Sequence, residues 1–232
     1  MRLAVVVVAW AALIISGRAA LATPQPSPRA LQLSCSAFPP TTTEADLRTK
    51  FGSENVTNGL VPDPNGAEGD RTEGTVLFAK DEDALLEISW KDAAEKRRPS
   101  VISRMAAHGR WRTPSGISLG TDLKTVEKLN GRPFSLLGMG FDQQGCVTSL
   151  RGGRLEAEDS EDCRVGMCLQ VESSARAADA ALARQVTGDH IFSSGHPAMQ
   201  ALNPTVYWIV LDYRRKPAFS LSNRIAATRR PR

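Results

Sequence analysis

The hydrophobic pattern of the first 22 residues differs from that of the rest of the chain. Arg2 precedes an unbroken apolar run at residues 3–15, and residues 20–22 (Ala-Leu-Ala) place small side chains where a signal peptidase reads them. A membrane-spanning helix needs about 20 apolar residues, whereas this run ends before Gly17. The pattern therefore predicts a secretory signal peptide, residues 1–22, that is cleaved before Thr23.

After the signal peptide, the pattern predicts short elements. Residues 23–40 are rich in proline and predict an extended arm. Thr43 is a helix N-cap with an acid, Asp46, three residues later, and Gly52 ends this helix. Residues 53–74 have the composition of a long polar loop. Alternating apolar and polar residues then predict three strands, at 75–79, 85–90 and 101–105.

The second half of the chain contains one clear helical unit. Thr121 is its predicted N-cap, Leu123, Val126 and Leu129 form one face, and Gly131 ends it. The remaining pattern predicts a hairpin with strands at 146–150 and 154–157, a strand at 167–171, an alanine-rich helix at 175–186 and an internal strand at 206–213.

Strands outnumber helices in this pattern, and the helices are short. We therefore predict an α+β fold with a mainly antiparallel sheet. The globular part is expected to be one domain, residues 41–213, in which 41–105 and 116–213 can be two helix-plus-meander repeats. No later segment is apolar enough to span a bilayer, so we expect a soluble mature chain.

Four cysteines in a chain that is predicted to reach an oxidising compartment predict two disulfides. Three pairings are open to four cysteines. The short spacing of Cys163 and Cys168 favours a bond between them, which would leave Cys35 with Cys146. Zinc is the alternative, but only one loose pair approaches the spacing of metal ligands, so disulfides are preferred and no metal is expected.

Charge is unevenly distributed along the mature chain. Residues 23–213 carry 20 basic and 25 acidic side chains, whereas residues 214–232 carry seven basic ones and no acid. A basic tail can contact anionic surfaces, although a disordered, solvated end is the preferred interpretation. Export and the acidic body argue against nucleic acid as a partner.

The histidines are the candidates for catalysis. The chain has three, His108, His190 and His196, and no G-x-S-x-G nucleophile elbow. Asp189, His190 and His196 could bind zinc or copper weakly, but a surface loop with incidental histidines is preferred. No catalytic residue, metal ligand or cofactor is therefore assigned.

Aromatic residues are the candidates for partner binding. Trp111 lies in a polar segment without strand alternation, which predicts an exposed indole. The loop that begins at Phe134 and includes Phe141 and Asp142 is the second predicted contact. Most other aromatic side chains are expected in the core.

One phrase of the chain resembles a repeat of known binding modules. Ile117-Ser118-Leu119-Gly120-Thr121, followed by Val126 and Gly131, is similar to the phrase that opens each unit of the β-lactamase-inhibitor-like proteins and of the small outer-membrane-assembly lipoproteins. Residues 43–55 share the plan but lack the leading Ile-x-x-Gly. Those families grip another protein with an open sheet face, so the resemblance implies a binding module.

A wider set of phrases resembles an uncharacterised family of exported bacterial proteins. The phrases include Asp46-Leu47, Phe51-Gly52, Leu129-Asn130-Gly131, Gly140-Phe141-Asp142 and Asn203-Pro204. The resemblance implies bacterial export and assigns no activity.

These observations favour a non-enzymatic binding module that is periplasmic or secreted. One alternative is an envelope hydrolase that uses His190 or His196. The other is a structural envelope protein whose basic tail contacts an anionic surface.

Overall fold

The structure is a computed structural model that describes residues 31–67, 69–140, 144–172 and 179–214. The predicted signal peptide, the first part of the predicted arm and the tail beyond Arg214 lie outside the described residues. The described strands are β1 Leu31–Gln32, β2 Val56–Pro62, β3 Arg71–Leu77, β4 Leu86–Asp92, β5 Arg97–Met105, β6 Trp111–Arg112, β7 Ser135–Leu137, β8 Val147–Ser149, β9 Arg164–Gln170, β10 Ile191–Ser193 and β11 Thr205–Asp212.

Four short α-helices accompany the strands in the described part: α1 Glu44–Phe51, α2 Leu123–Asn130, α3 Ala180–Gln185 and α4 Pro197–Leu202. The predicted capping box of α1 is present, because Thr43 and Asp46 bond each other's backbone amides. In α2 the N-cap is Asp122 instead of Thr121, and Gly131 ends the helix in the left-handed conformation. No helix of the described residues is long and apolar enough to cross a membrane.

The main sheet has six strands in the order β2-β3-β4-β5-β11-β9, and every pair in it is antiparallel. A second sheet, β10-β7-β8, is also antiparallel, while the short β1 and β6 pair in parallel. The predicted α+β fold with a mainly antiparallel sheet and short helices is therefore confirmed. Strand β11 is internal, as its apolar sequence predicts.

The main core lies on one face of the six-stranded sheet. Alternate residues such as Leu77, Ile88, Ile102 and Leu211 point to this face and are fully buried. Helix α1 packs there through Leu47. Glu44 of the same helix accepts a 2.7 Å hydrogen bond from Thr75 of β3, so the helix is fixed to the sheet by both apolar and polar contacts.

The opposite face is concave, because the β2–β3 hairpin bends over it. Gly59 and Gly74 lie directly opposite each other in this hairpin, and the pairing of β3 with β4 ends at Thr75. A Cβ on Gly74 would lie 2.4 Å from a methyl carbon of Val61 and 2.5 Å from the carbonyl oxygen of Ile88, so the close approach requires glycine. We call the bend at Gly59 and Gly74 the corner of the hairpin.

Two long-range contacts show how far the hairpin bends. Nη1 of Arg214, just after β11, donates to the carbonyl of Pro64 at 2.8 Å. In a flat sheet four strand spacings, about 19 Å, would separate β2 from β11. Nη2 of Arg71 reaches Glu87 at 2.6 Å, although Glu87 lies opposite Val76, five residues further along β3. The outer hairpin therefore covers the concave face.

Residues 31–40, which we assigned to an extended arm, are part of the folded body. They contain β1, and both Leu33 and Phe38 are fully buried. The buried hydroxyl of Tyr213 donates to the carbonyl of Phe38 at 2.5 Å, and burial raises the pKa of this phenol above its usual range. A proline-rich composition predicted an extended backbone but did not show that the segment is buried.

Two other local predictions were wrong. The predicted polar loop at 53–74 contains all of β2. The Gly, Asn and Thr residues that predicted a loop lie in this strand, next to the corner. The segment after β8 does not return as a strand. Arg154–Glu158 is instead a 3-10 helix, while β8 pairs with β7.

Two disulfides are present, as predicted, but their pairing differs from the predicted one. Cys35 bonds Cys163, with Cα atoms 5.7 Å apart, and Cys146 bonds Cys168. Cys163 and Cys168 cannot bond each other because Cys168 lies within strand β9, where an extended backbone separates it from Cys163. Sequence spacing alone did not reveal that both cysteines face other segments.

The disulfide pairing can be tested by peptide mapping without reduction. Trypsin cleaves after Arg164 and so separates Cys163 from Cys168. We expect one linked peptide pair that joins Cys35 to Cys163 and a second that joins Cys146 to Cys168. A peptide that links Cys35 to Cys146 would contradict the structure.

The close packing at the corner predicts that a Gly→Ala substitution there lowers the free energy of unfolding more than one at an exposed glycine. Gly74→Ala should lower the free energy of unfolding by about 1–3 kcal/mol, because the methyl group overlaps Val61 and the β4 backbone. Gly195→Ala is the control, because Gly195 is exposed and a Cβ there would meet no atom closer than 3.5 Å, so it should change the free energy of unfolding by less than about 1 kcal/mol. Urea denaturation measures both, and equal effects would argue against a tight corner.

Candidate binding surface

Trp111 is not on the surface, contrary to our prediction. Its side chain is 2% exposed, and its indole N–H donates to the carbonyl of Ala84 at 2.7 Å. The indole packs against Phe38, Phe51 and Phe78, with ring centroids 5.8–6.4 Å apart. Trp111 thus belongs to an aromatic cluster of the core, because the two-residue strand β6 carries it inward beside β1.

Phe134 is also fully buried and offers no contact surface. Its backbone amide donates to Oγ of the buried Ser194 at 2.8 Å, and this hydroxyl donates in turn to Glu127 of α2 at 2.5 Å. The network fixes the start of β7 against α2 and the segment before α4. Phe141 and Asp142, the other residues of the predicted contact loop, lie outside the described residues.

The three histidines occupy unrelated places. His108 is exposed, and its Nδ1 lies 2.7 Å from Asp83 on a surface turn. His190 is exposed before β10. His196 is the N-cap of α4, where Nδ1 accepts from the amide of Ala198 at 3.2 Å. Within the described residues, no three His, Cys, Asp or Glu side chains are arranged to hold a metal ion.

Several carboxylates in the described part have structural partners. Burial opposes ionisation of Glu44, but hydrogen bonds from Arg48, Thr75 and Lys96 outweigh it, so the pKa of Glu44 is lowered. In the acidic segment before Cys163, burial raises the pKa of Asp159, although its carboxylate accepts from the amide of Val165 at 2.8 Å. The Val165 amide points away from β11, so this bond pairs one of the backbone donors on the outer side of strand β9.

An exposed apolar surface lies at one end of the concave face. Met105, the last residue of β5, is 56% exposed, and Trp208 of β11 lies directly opposite it. Trp208 in turn pairs with Cys168 of β9. Trp208 is only partly buried, and within the described residues its indole N–H has no hydrogen-bond partner. An exposed methionine and a partly buried tryptophan therefore lie side by side.

This surface continues onto the second sheet through a small apolar cluster. Leu137 of β7 packs with the Cys146–Cys168 disulfide, and Tyr207 and Trp208 pack against this cluster. Ile191 of β10, 61% exposed, lies directly opposite Leu137. We call these residues the apolar strip: Met105, Leu137, Ile191, Tyr207 and Trp208.

A β-bulge in β11 creates the strip. Strict alternation from Val206, which is buried in the main core, would send Trp208 to the same face. The register shifts between Val206 and Trp208, so Tyr207 and Trp208 both pack on the disulfide cluster while Ile209 returns to the core. An apolar run does not show where a bulge occurs, so the strip cannot be predicted from the sequence pattern.

The strip presents mostly apolar and aromatic groups. It offers a thioether, an aliphatic side chain and two aromatic rings, and the phenol of Tyr207 donates to the carbonyl of Gln144 at 3.4 Å. Two of the three large apolar side chains that the described surface exposes lie at its ends. Trp, Tyr and Met are enriched in the centres of protein interfaces.

The two tryptophans should respond differently to truncation. Trp111→Ala removes a buried indole and its hydrogen bond and should lower the free energy of unfolding by about 3–5 kcal/mol. Trp208→Ala should lower it by about 1 kcal/mol, because the indole is partly in solvent. Chemical denaturation with both disulfides intact measures the difference. A Trp208 effect as large as that of Trp111 would place Trp208 in the core.

Comparison with known proteins adds no assignment to this geometry. No protein-family model, no curated protein and no solved structure matches the chain. The resemblances to β-lactamase-inhibitor-like modules, to outer-membrane-assembly lipoproteins and to exported bacterial proteins therefore stay predictions. The candidate site rests on the structure alone.

Proposed function

We propose that this chain is an exported, non-enzymatic binding module that holds another protein at the apolar strip. The observation that carries the proposal is the row Met105, Trp208, Leu137 and Ile191, which runs across two sheets with an exposed apolar side chain at each end. Leu137 itself is buried, so the exposed apolar surface lies on Met105 and Ile191 and on the partly buried Tyr207 and Trp208. Exposed apolar surface that several residues share favours an interaction site on a soluble protein.

The surroundings of the strip favour a protein as the partner. Trp and Tyr are among the residues that dominate the binding energy of protein interfaces. The indole N–H of Trp208, which has no partner within the described residues, can donate to a partner's carbonyl. The disulfide beneath it fixes the relative position of the two sheets, so the surface is formed before binding and loses little entropy.

Two features support a location outside the cytoplasm. The signal-peptide pattern of residues 1–22 predicts export, and two disulfides are compatible with an oxidising compartment. The periplasm, or the medium beyond it, is the location that we propose. The basic tail can add contacts to an anionic surface, but the binding of a protein partner does not depend on it.

The proposal is tested by capture of partners from envelope extract, with residues 23–232 as bait. Met105→Lys and Ile191→Lys place a charge at either end of the strip and should abolish capture of the specific partner. The matched control is Leu60→Lys. Leu60 is as exposed as Ile191, 61%, but lies on the outer hairpin away from the strip.

A captured protein must then bind the purified module directly. We expect Trp208→Ala to raise the dissociation constant at least about tenfold in calorimetry, as is typical of a central interface residue. The Leu60→Lys control should bind like the unmodified protein. Equal capture by all variants, or no partner after mild crosslinking, would contradict the proposed function.

A further inference from the structure

We propose that the outer β2–β3 hairpin is a hinged flap that opens from the concave face while the rest of the fold stays intact. The flap consists of residues 60–67 and 69–73. Its hinge is the Gly59–Gly74 pair, and the face beneath it is a second surface, distinct from the apolar strip. The inference does not depend on the proposed function.

The hinge lies where the hairpin leaves the sheet. Strand β3 pairs with β4 only over Thr75–Leu77, so beyond Gly74 the ladder of the hairpin consists of its own two strands. Paired glycines at this point have no Cβ atoms and rotate more freely than other residues. Rotation there moves the hairpin as one unit and leaves its internal hydrogen bonds unbroken.

Few contacts hold the flap closed. Val61 is its only fully buried apolar side chain, while Leu60 faces solvent. Arg71 bonds Glu87 at 2.6 Å, and Arg214 donates to the carbonyl of Pro64 at 2.8 Å. The Arg71 side chain is 45% exposed, so salt screens its ion pair. A region with few apolar contacts and exposed polar ones opens more readily than the core.

The flap covers small side chains that do not belong to the main core. Glu87, the partner of Arg71, lies opposite Ser103 of β5, and Ser103 lies opposite Val210 of β11. Ser103 is 3% exposed and Val210 is 2% exposed, although both lie on the face opposite the main core. Opening would expose a concave floor that includes Ser103 and Val210, next to the Glu87 carboxylate.

The test measures the rate at which a maleimide labels a cysteine beneath the flap. Ser103→Cys is nearly isosteric and should react through flap opening. Ile102→Cys is its matched control, because it is the neighbouring residue on the same strand, fully buried on the opposite face, and should react only on global unfolding. We expect Ser103→Cys to be labelled at least about tenfold faster.

Variants of the ion pair should change this rate selectively. Arg71→Gln and Glu87→Gln each remove the pair and should accelerate labelling at position 103 severalfold, as should 1 M salt, with the melting temperature nearly unchanged. Arg97→Gln breaks an exposed ion pair with Asp92 on the neighbouring hairpin and should have no effect.

Equal labelling rates at positions 102 and 103 in every background would overturn the proposal, since the concave face would then open only with the whole molecule. Acceleration at both positions by Arg71→Gln would also overturn it. If Ser103→Cys does not fold, Ser89→Cys, which is 3% exposed on the same face, replaces it.

Discussion

The covalent attachment of β9 to two other parts of the chain is the constraint on which the arrangement depends. Strand β9 pairs with β11 on one side, and on the other side Cys168 bridges Cys146 and the amide of Leu169 donates to the carbonyl of Gly145. Cys163, just before it, ties the N-terminal segment through Cys35, and Cys168 within it ties the three-stranded sheet through Cys146. Each bond closes a loop between segments that are distant in sequence or belong to different sheets. It lowers the conformational entropy of the unfolded chain and so stabilises the folded chain relative to it.

The candidate binding surface follows from the second of these bonds. The apolar strip crosses from Met105 and Trp208 on the main sheet to Leu137 and Ile191 on the small one, and the Cys146–Cys168 disulfide is buried beneath the crossing. A surface built on two sheets needs such a fixed joint, because side chains on separately moving elements would not present one shape. The bulge in β11 supplies the aromatic side chains at this joint.

The two faces of the main sheet are used differently. One packs large apolar side chains against α1 and the N-terminal segment and forms the stable core. The other is lined by Ser89, Ser103 and Val210, which are too small to form a second core, and the bent hairpin covers it. The core and the apolar strip are thus separated in space, because the core lies on one face and the strip lies at the end of the other.

The sequence by itself determined many of the local elements. The cap and glycine stop of α1, the apolar face of α2, and the strands around Ile88, Ile102 and Ile209 follow from short-range patterns, because neighbouring residues set them, and the antiparallel α+β class follows from those elements. The presence of two disulfides follows from the number of cysteines and the predicted export. Tertiary structure decided the rest: the disulfide pairing, the burial of Trp111 and Phe134, and the exposure of Trp208. Each depends on which distant segment lies opposite a residue, and neither periodicity nor spacing carries that information.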